Sequence, residues 1–246
     1  EMSASLVGSE MCIRDRIQTG ESILEAKQKC PNLILVPPNY GLYERCSKAF
    51  MGILQEYSPT VEQYSIDEAF VDMTGTELLW GTPVEAAEKM RRQIKERLGF
   101  TVNIGISTNR LLAKMASDFT KPDRVHTLFP EEIPQKMWPL PVRDLFMVGK
   151  SSARTLELLG IKTIGDLAHT DPAILTSHLK SHGQTIWEYA NGLEYTPIDA
   201  KRHTSKGIGN STTLSSDVTE RAAALKVLLS LSESVSCLLY TSPSPR

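Results

Sequence analysis

VEQYSIDEAFVDMT, residues Val61 to Thr74, is the stretch from which the fold can be read. Two short runs of strand-forming residues flank a polar centre, which predicts two strands meeting at a bend. Asp67 and Glu68 stand in that centre. Neighbours on a continuous strand point to opposite faces, but at a hairpin turn both carboxylates can converge on one pocket. Oxygen ligands of this kind suit Mg²⁺, which is held by one or two protein carboxylates together with substrate phosphates. Two such ions can stabilise the attacking and leaving oxygens of a phosphoryl transfer. Most Asp-Glu pairs are solvated surface charges. This pair lies between Ile66 and the core-type run Ala69-Phe70-Val71, where an unpaired charge is costly.

Upstream, residues 21–30 have helical spacing and stop at Pro31. Leu33 to Val36 is short, apolar and closed by Pro37-Pro38, and is expected to be a strand. From Tyr40 to Tyr57, Leu42, Cys46, Phe50, Ile53 and Leu54 recur at three- and four-residue steps, predicting an amphipathic helix. Downstream, a helix is expected from Pro83 to Leu98, with Gly99 as its C-cap. Val102, Ile104 and Ile106 alternate with Asn103, Gly105 and Ser107, the pattern of a half-buried strand. Ser107 or Thr108 is expected to cap the next helix, Arg110 to Phe119, which Lys121-Pro122 breaks. Strands separated by helices argue for a sheet domain of the α/β or α+β class up to about residue 137.

After Trp138-Pro139-Leu140-Pro141 the helices become short and closely punctuated. They are expected at Val142–Phe146, at Ser151–Leu159 before Gly160, and at Ile164–Ala168 after Thr163. Another begins at Asp171-Pro172 and ends near Gly183, and the last runs from Gln184 to Ala190 before Asn191-Gly192. This is a second, all-helical domain. Residues 200–210 (AKRHTSKGIGN) are basic and glycine-bearing and read as a linker. The stretch that follows, with a helix from Arg221, looks like the opening of a third domain.

Bulk composition bounds these readings. With 246 residues, 41% hydrophobic and 23% charged, the chain has an ordinary globular make-up. A net charge of −2 gives no global sign of a nucleic-acid partner, so such a partner has to be argued from local sites. No uninterrupted apolar run approaches the ~20 residues of a membrane span. Cys12, Cys30, Cys46 and Cys237 form no Cys-x-x-Cys pair, the usage of a reduced, cytoplasmic protein without a zinc site. The ends, residues 1–16 (EMSASLVGSEMCIRDR) and 237–246 (CLLYTSPSPR), resemble translated adapter read-through; a natural tail of little structure is the alternative.

Two further places carry chemistry. In Val102 to Ser107, glycine at 105 marks close approach of a backbone or a ligand. Lys121, after the following helix and fixed by Pro122, is placed to meet a phosphate as a point charge, although most lysines are simply solvated. Phe146-Met147-Val148-Gly149-Lys150-Ser151 lies between two short helices and has the form of a helix-hairpin-helix. Amides at such a helix start, with Lys150, can hold a DNA phosphate without reading sequence. A plain helix–helix turn would look the same.

Together, in order and spacing, these motifs resemble one family. YSIDEAFVDMTG and NIGISTNRLLAKMASDFTKPD resemble the two palm motifs of Y-family (translesion) DNA polymerases. The hairpin at 146–151 resembles their thumb, and KGIGNSTTL resembles the start of their little finger, nearest the bacterial polymerase IV (DinB/UmuC-like) branch. The resemblance covers roughly residues 17–236. It implies an α+β palm of mixed sheet and helices, an all-α thumb and an incomplete little finger. The corresponding divisions are a remnant of the fingers at 17–38, palm at 39–137, thumb at 138–199, linker at 200–210 and little finger at 211–236.

The resemblance also implies residue roles. Asp67 and Glu68 would hold two Mg²⁺ ions, with Asp67 bridging both, and Lys121 would contact the incoming deoxynucleoside triphosphate. Met147, Gly149, Lys150 and Ser151 would meet the primer strand, and Gly209, Asn210, Ser211 and Thr212 the template side. The implied reaction is nucleotidyl transfer to a primer 3′-hydroxyl with loss of pyrophosphate, on primer–template DNA, by a monomer that binds no membrane. A sliding clamp is a further partner of the family. Two departures stand out: Met147 where the hairpin usually has its first glycine, and Arg124 where glycine usually follows Lys-Pro-Asp. The first is expected to weaken a phosphate contact. The family's first palm strand, with another metal-binding Asp and an aromatic that excludes ribonucleotides, would lie upstream of residue 17, as would the triphosphate-gripping Tyr and Arg. Without them this stretch alone is expected to be inactive. A nucleotide cyclase with a similar palm, or a non-catalytic DNA-binding module, are the competing readings. Neither accounts for all four motifs.

Overall fold

The computed structural model describes Ile17 and residues 21–200, 207–214 and 216–241. The stretch 1–16, the linker residues 201–206 and the last residues 242–246 lie outside the described residues. The chain divides into two compact units, Gly41–Lys201 and a second formed by Glu1–Tyr40 with Arg202–Arg246.

In the second unit, α1 (Ile23–Lys29) opens with a capping box in which the Ser22 hydroxyl accepts from the Glu25 amide and the Glu25 carboxylate accepts from the Ser22 amide. Leu33 to Val36 does not form the expected strand. The segment is irregular, with Ile34 and Val36 exposed, and no described strand pairs with it. Strand-forming side chains alone cannot hold a strand without a ladder partner.

The unit Gly41–Lys201 is built from two small cores. α2 (Tyr40–Tyr57) has the bounds its periodicity predicted and buries Ile53, Leu54 and Tyr57. The hairpin follows, β1 (Val61–Gln63) antiparallel to β2 (Ala69–Val71), with Val61 opposite Val71 and Gln63 opposite Ala69. α3 (Glu77–Trp80) is a single turn. α4 (Pro83–Leu98) starts at a Thr82–Glu85 capping box and stops at Gly99, whose left-handed φ of 76° suits glycine. Val61, Ile53, Leu54, Tyr57, Met90 and Ile94 close this first core.

β3 (Ile104–Ile106) lies parallel to β4 (Val125–Thr127), and α5 (Arg110–Ser117) makes the crossover that a parallel pair requires. The α+β class is as expected, but the described strands form two separate two-stranded sheets, one antiparallel and one parallel. A Cβ on Gly105 would lie 1.9 Å from the Ala113 carbonyl oxygen, so the glycine does mark a close backbone approach. The helix cap differs from expectation. Asn109 caps α5 through its side-chain oxygen, accepting from the Leu112 amide at 2.8 Å. Ser107 instead donates to the Leu128 carbonyl at the end of the parallel pair.

Leu111, Leu112, Met115 and Ala116 of α5 join the second core, which runs on through the helical segment to Ala190. The first short helix there, expected over Val142–Phe146, is a single 3₁₀ turn at Val142–Asp144 after α6 (Ile133–Lys136). α7 (Lys150–Leu158), α8 (Ile164–His169) and α9 (Pro172–Leu179) follow. α9 ends earlier than Gly183, at Lys180, which takes a positive φ of 55°. Gly183 lies inside α10 (Ser181–Ala190), where a Cβ would come within 2.4 Å of the Leu175 carbonyl. Its role is helix–helix contact, not termination.

In the second unit, α11 (Arg221–Thr241) runs beyond residue 236 into the stretch set apart as a tail. Its 21 residues have a mean hydropathy of 1.6 over the most apolar window, so by length and composition alone it could cross a bilayer. Serines at 230, 232, 234 and 236 break the apolar run and hide this from a search for uninterrupted stretches. The described cysteines, Cys30, Cys46 and Cys237, are free thiols.

Candidate functional site

The hairpin places both acidic residues at its bend, as the sequence predicted. Tyr64 and Ser65 both donate their amides to the Glu68 carbonyl, at 2.9 and 3.1 Å, which closes the loop between the strands. Asp67 is exposed, and its Oδ1 accepts from the Ser65 hydroxyl at 2.7 Å. Ile66 is 48% exposed and belongs to the rim, not to the core flank assigned to it. A five-residue loop cannot turn every side chain inward, and the apolar residue at its tip is the one left out.

Helix α5 presents a charged stripe to this hairpin. Arg110, Lys114 and Asp118 recur every four residues and so share one face. Arg110 Nη2 donates to Glu62 Oε1 at 2.9 Å, and its guanidinium lies 4.7 Å from the Phe70 ring centre. The other Glu62 oxygen accepts the Asp199 amide at 2.8 Å. One turn on, Lys114 Nζ donates to Glu68 Oε1 at 2.5 Å and also meets Asp118 Oδ2 at 3.0 Å. Asp118 Oδ1 in turn takes Lys121 Nζ at 2.8 Å. The charges therefore alternate from Glu68 through Lys114 and Asp118 to Lys121.

Burial alone would lower the Lys114 ammonium, but its bonds to Glu68 and Asp118 outweigh that and hold it above the ordinary lysine value. For Asp118, burial pushes the carboxyl up, and Lys121 and Lys114 more than reverse this. Both groups thus carry their charges at neutral pH.

The loop that bears Lys121 is braced independently. Asp123 accepts from Arg91 at 2.6 Å and from Lys95 at 2.7 Å, both on α4. Asn103 donates to the Ser117 and Thr120 carbonyls and accepts from the Arg124 amide. The left-handed residue of this loop is Asp123, with φ of 57°, so Arg124 has no need of the glycine it replaces.

Among the described residues, Oδ2 of Asp67 and Oε2 of Glu68 have no protein donor. Two carboxylates with one oxygen open on each fit the hard-oxygen demand of Mg²⁺, the rest of whose shell comes from substrate and water. No group of three or more His, Cys, Asp or Glu residues gathers among the described residues, at the bend or elsewhere.

The helical hairpin forms a second surface. Gly149 is the N-cap of α7 and offers no side chain to its first amides, which leaves them open to a ligand. Lys150 and Ser151 are exposed beside it. Arg143 and Arg154 line the same groove with Val148, Gly149 and Lys150, as do the acidic Asp144 and Glu157, and sequence reading missed both arginines. Met147 has a positive φ of 72° and is 54% exposed. Its backbone thus keeps the conformation in which glycine is unstrained. Phe146 connects the two surfaces: its amide contacts Met115 Sδ of α5, and its ring lies 6.2 Å from Tyr64 and 6.3 Å from Tyr189. Gly209, Asn210, Ser211 and Thr212 are exposed and irregular within the other compact unit, where Asn210 to Thr212 border a groove along α11.

Lys114 and Asp118 are the other site residues that sequence reading passed over. Their signal was present in the i, i+4 step from Lys114 to Asp118 and the i, i+3 step on to Lys121.

Known proteins supply the context. The sequence profile of the impB/mucB/samB family matches residues 8–118, and that of the IMS family HHH motif matches residues 130–161. The chain is 50% identical over 219 residues to DNA polymerase IV of Clostridium acetobutylicum, covering 89% of this chain and 55% of that protein. In three dimensions it is similar to the crystal structure of DinB from Sulfolobus solfataricus, with a TM-score of 0.69 and 27% identity over 76% of this chain and 55% of the other. The insertion ternary complex of Dbh DNA polymerase gives a TM-score of 0.68 and 27% identity, over 78% and 56%. The chain spans about half the length of the relatives it matches.

Proposed function

The chain belongs to the impB/mucB/samB family of Y-family DNA polymerases, and on that premise we propose that its full-length protein is a translesion DNA polymerase whose phosphate chemistry is centred on Asp67, Glu68 and Lys121. The observation that carries this reading is the alternating run of charges from Glu68 to Lys121, which ties the carboxylate bend to the lysine of the following loop.

Asp67 and Glu68 would hold divalent cations, whose charge would neutralise the phosphate oxygens during nucleotidyl transfer. Lys121 is a point charge for the triphosphate of the incoming nucleotide. Primer–template DNA is held without sequence reading at the start of α7, with Lys150, Arg143 and Arg154 supplying the charge. Residues 39–137 act as palm and 138–199 as thumb, and Gly209 to Thr212 meet the template side. The described residues bring only two carboxylates to the bend, so the expected result of a primer-extension assay on this chain alone is no product.

The discriminating experiment is fluorescence anisotropy of this chain on primer–template DNA, with and without Mg²⁺ and a deoxynucleoside triphosphate. Binding to DNA that tightens when both are present, and loses that response in Asp67→Asn, supports the proposal. A chain that ignores DNA behaves as a cyclase would. One that binds DNA but ignores the nucleotide is a plain DNA-binding module, and either result overturns the reading. In the full-length protein, Asp67→Asn is expected to abolish primer extension while DNA affinity without Mg²⁺ and nucleotide stays unchanged.

A further inference from the structure

Lys114 is not among the residues assigned a role by the motifs, yet it is the most buried charge in the run from Glu68 to Lys121. Its side chain is 16% exposed, against 39% for Glu68 and 56% for Lys121. It has two carboxylate partners, Glu68 and Asp118, on different elements. Asp118 is likewise divided, giving one oxygen to Lys114 and the other to Lys121. A carboxylate that ligates a cation cannot also give its full strength to an ammonium, because both compete for the same negative charge. Lys114 can afford to lose Glu68, since Asp118 still pairs with it one helical turn away.

We propose that Lys114 is a positioning residue that occupies Glu68 until a divalent cation arrives and then gives it up, so that cation binding is passed through Asp118 to Lys121. The inference rests on the reading of Asp67 and Glu68 as cation ligands. Before the cation binds, Lys114 offsets the repulsion between neighbouring acids at the bend. Once the cation takes Glu68, the Lys114 ammonium turns fully to Asp118. Asp118 then holds Lys121 less strongly, and the Lys121 ammonium is released toward the triphosphate. Cation and nucleotide thereby favour one another without touching the same side chain.

The test is Mn²⁺ binding to the 246-residue chain in the absence of nucleotide, followed by the electron paramagnetic resonance signal of the free ion. Removing the competing ammonium in Lys114→Met should tighten Mn²⁺ about fivefold, the scale of one partly exposed ion pair. Lys114→Arg, which keeps the competitor, should bind no tighter than the native chain. Lys48→Met removes the same charge from an exposed pair with Glu44 and should change nothing. Circular dichroism checks the fold of each variant, and if Lys114→Met does not fold, Lys114→Gln carries the same expectation. Should Lys114→Met leave Mn²⁺ affinity equal or weaker while Asp67→Asn still weakens it, the cation reading stands and the role of Lys114 falls. An equal gain in Lys48→Met would reduce the effect to net charge and overturn the inference. If Asp67→Asn has no effect on Mn²⁺, the cation reading itself fails, and this inference fails with it.

Discussion

Gly105→Ala tests the contact that sets helix α5, and with it Lys114 and Asp118, against the sheet. An added Cβ would stand 1.9 Å from the Ala113 carbonyl oxygen, 2.5 Å from the Ser117 amide nitrogen and 2.9 Å from the Ala113 carbonyl carbon. All three are backbone atoms, so no side chain can swing away. A carbon approaches a carbonyl oxygen to about 3.3 Å at the closest comfortable distance, so strand and helix would have to part by about 1.4 Å. The helix has little room to retreat, because Leu112 and Ala116 are fully buried and Leu111 and Met115 nearly so. Overpacking of this kind costs about 3 kcal/mol or somewhat more. The reduced backbone freedom of alanine in the unfolded chain returns about 0.5–1 kcal/mol. The net loss is therefore about 2–3 kcal/mol, which at a urea m-value of about 2 kcal/mol/M lowers the midpoint by 1 M or more. Gly52→Ala is the matched control. Nothing lies within 4 Å of a Cβ at that exposed helical position. That variant should gain about 0.5–1 kcal/mol from helix propensity. If Gly105→Ala unfolds within about 0.5 kcal/mol of the native chain, the strand–helix contact is not as close as described, and the placement of Lys114 loses its support.

Met147→Gly should stabilise the chain. Removing a left-handed non-glycine saves about 1–2 kcal/mol, offset in part by the freer unfolded state of glycine, and a Tm increase of about 2 °C is the expected result; a decrease would show that the side chain contributes more than its backbone strain costs. The Asp123 carboxyl is held below its ordinary value by Lys95 and Arg91, so its contribution is present above about pH 4 and is lost as pH falls through its folded-state value. Melting curves of Asp123→Asn should therefore lie below the native chain at pH 7 and converge with it toward pH 2; a gap of constant size would refute the assignment.

Much of this architecture was legible because local rules agreed with one another. The bounds of α2 follow from apolar spacing alone, and those of α4 from a Thr–Glu capping box and a terminal glycine. The hairpin was readable because its strands carry apolar residues on either side of a polar loop. What failed depended on partners distant in sequence. β4 is three residues long and becomes a strand only because β3 lies beside it, whereas Leu33 to Val36 has the better composition and no partner among the described strands. Ser107 looked like a cap and was drawn away by the Leu128 carbonyl, leaving the cap to Asn109. Gly183 looked like a stop because glycine commonly ends helices, but its actual constraint is the neighbouring α9 backbone.

The site divides along the same line. Asp67, Glu68 and Lys121 were found as isolated motif residues, while the charges that join two of them were not, although the helical part of that chain was written in the sequence. From Lys114 to Asp118 to Lys121 the steps are four and three residues, so the sequence alone could pair them once a helix is granted. The remaining link, Glu68 to Lys114, spans 46 residues and depends on the contacts that bring the hairpin onto α5, two of which Arg110 makes. One is the Arg110–Glu62 pair a turn earlier on the helix, and the other is the stacking of Arg110 over Phe70. Arg110 therefore helps dock the hairpin on the helix face from which Lys114 meets Glu68. A change at Arg110 should loosen both arms of the bend together, whereas a change at Lys114 frees Glu68 and one oxygen of Asp118 and leaves the Arg110–Glu62 pair in place. That difference separates the residue that builds the site from the residue that tunes it.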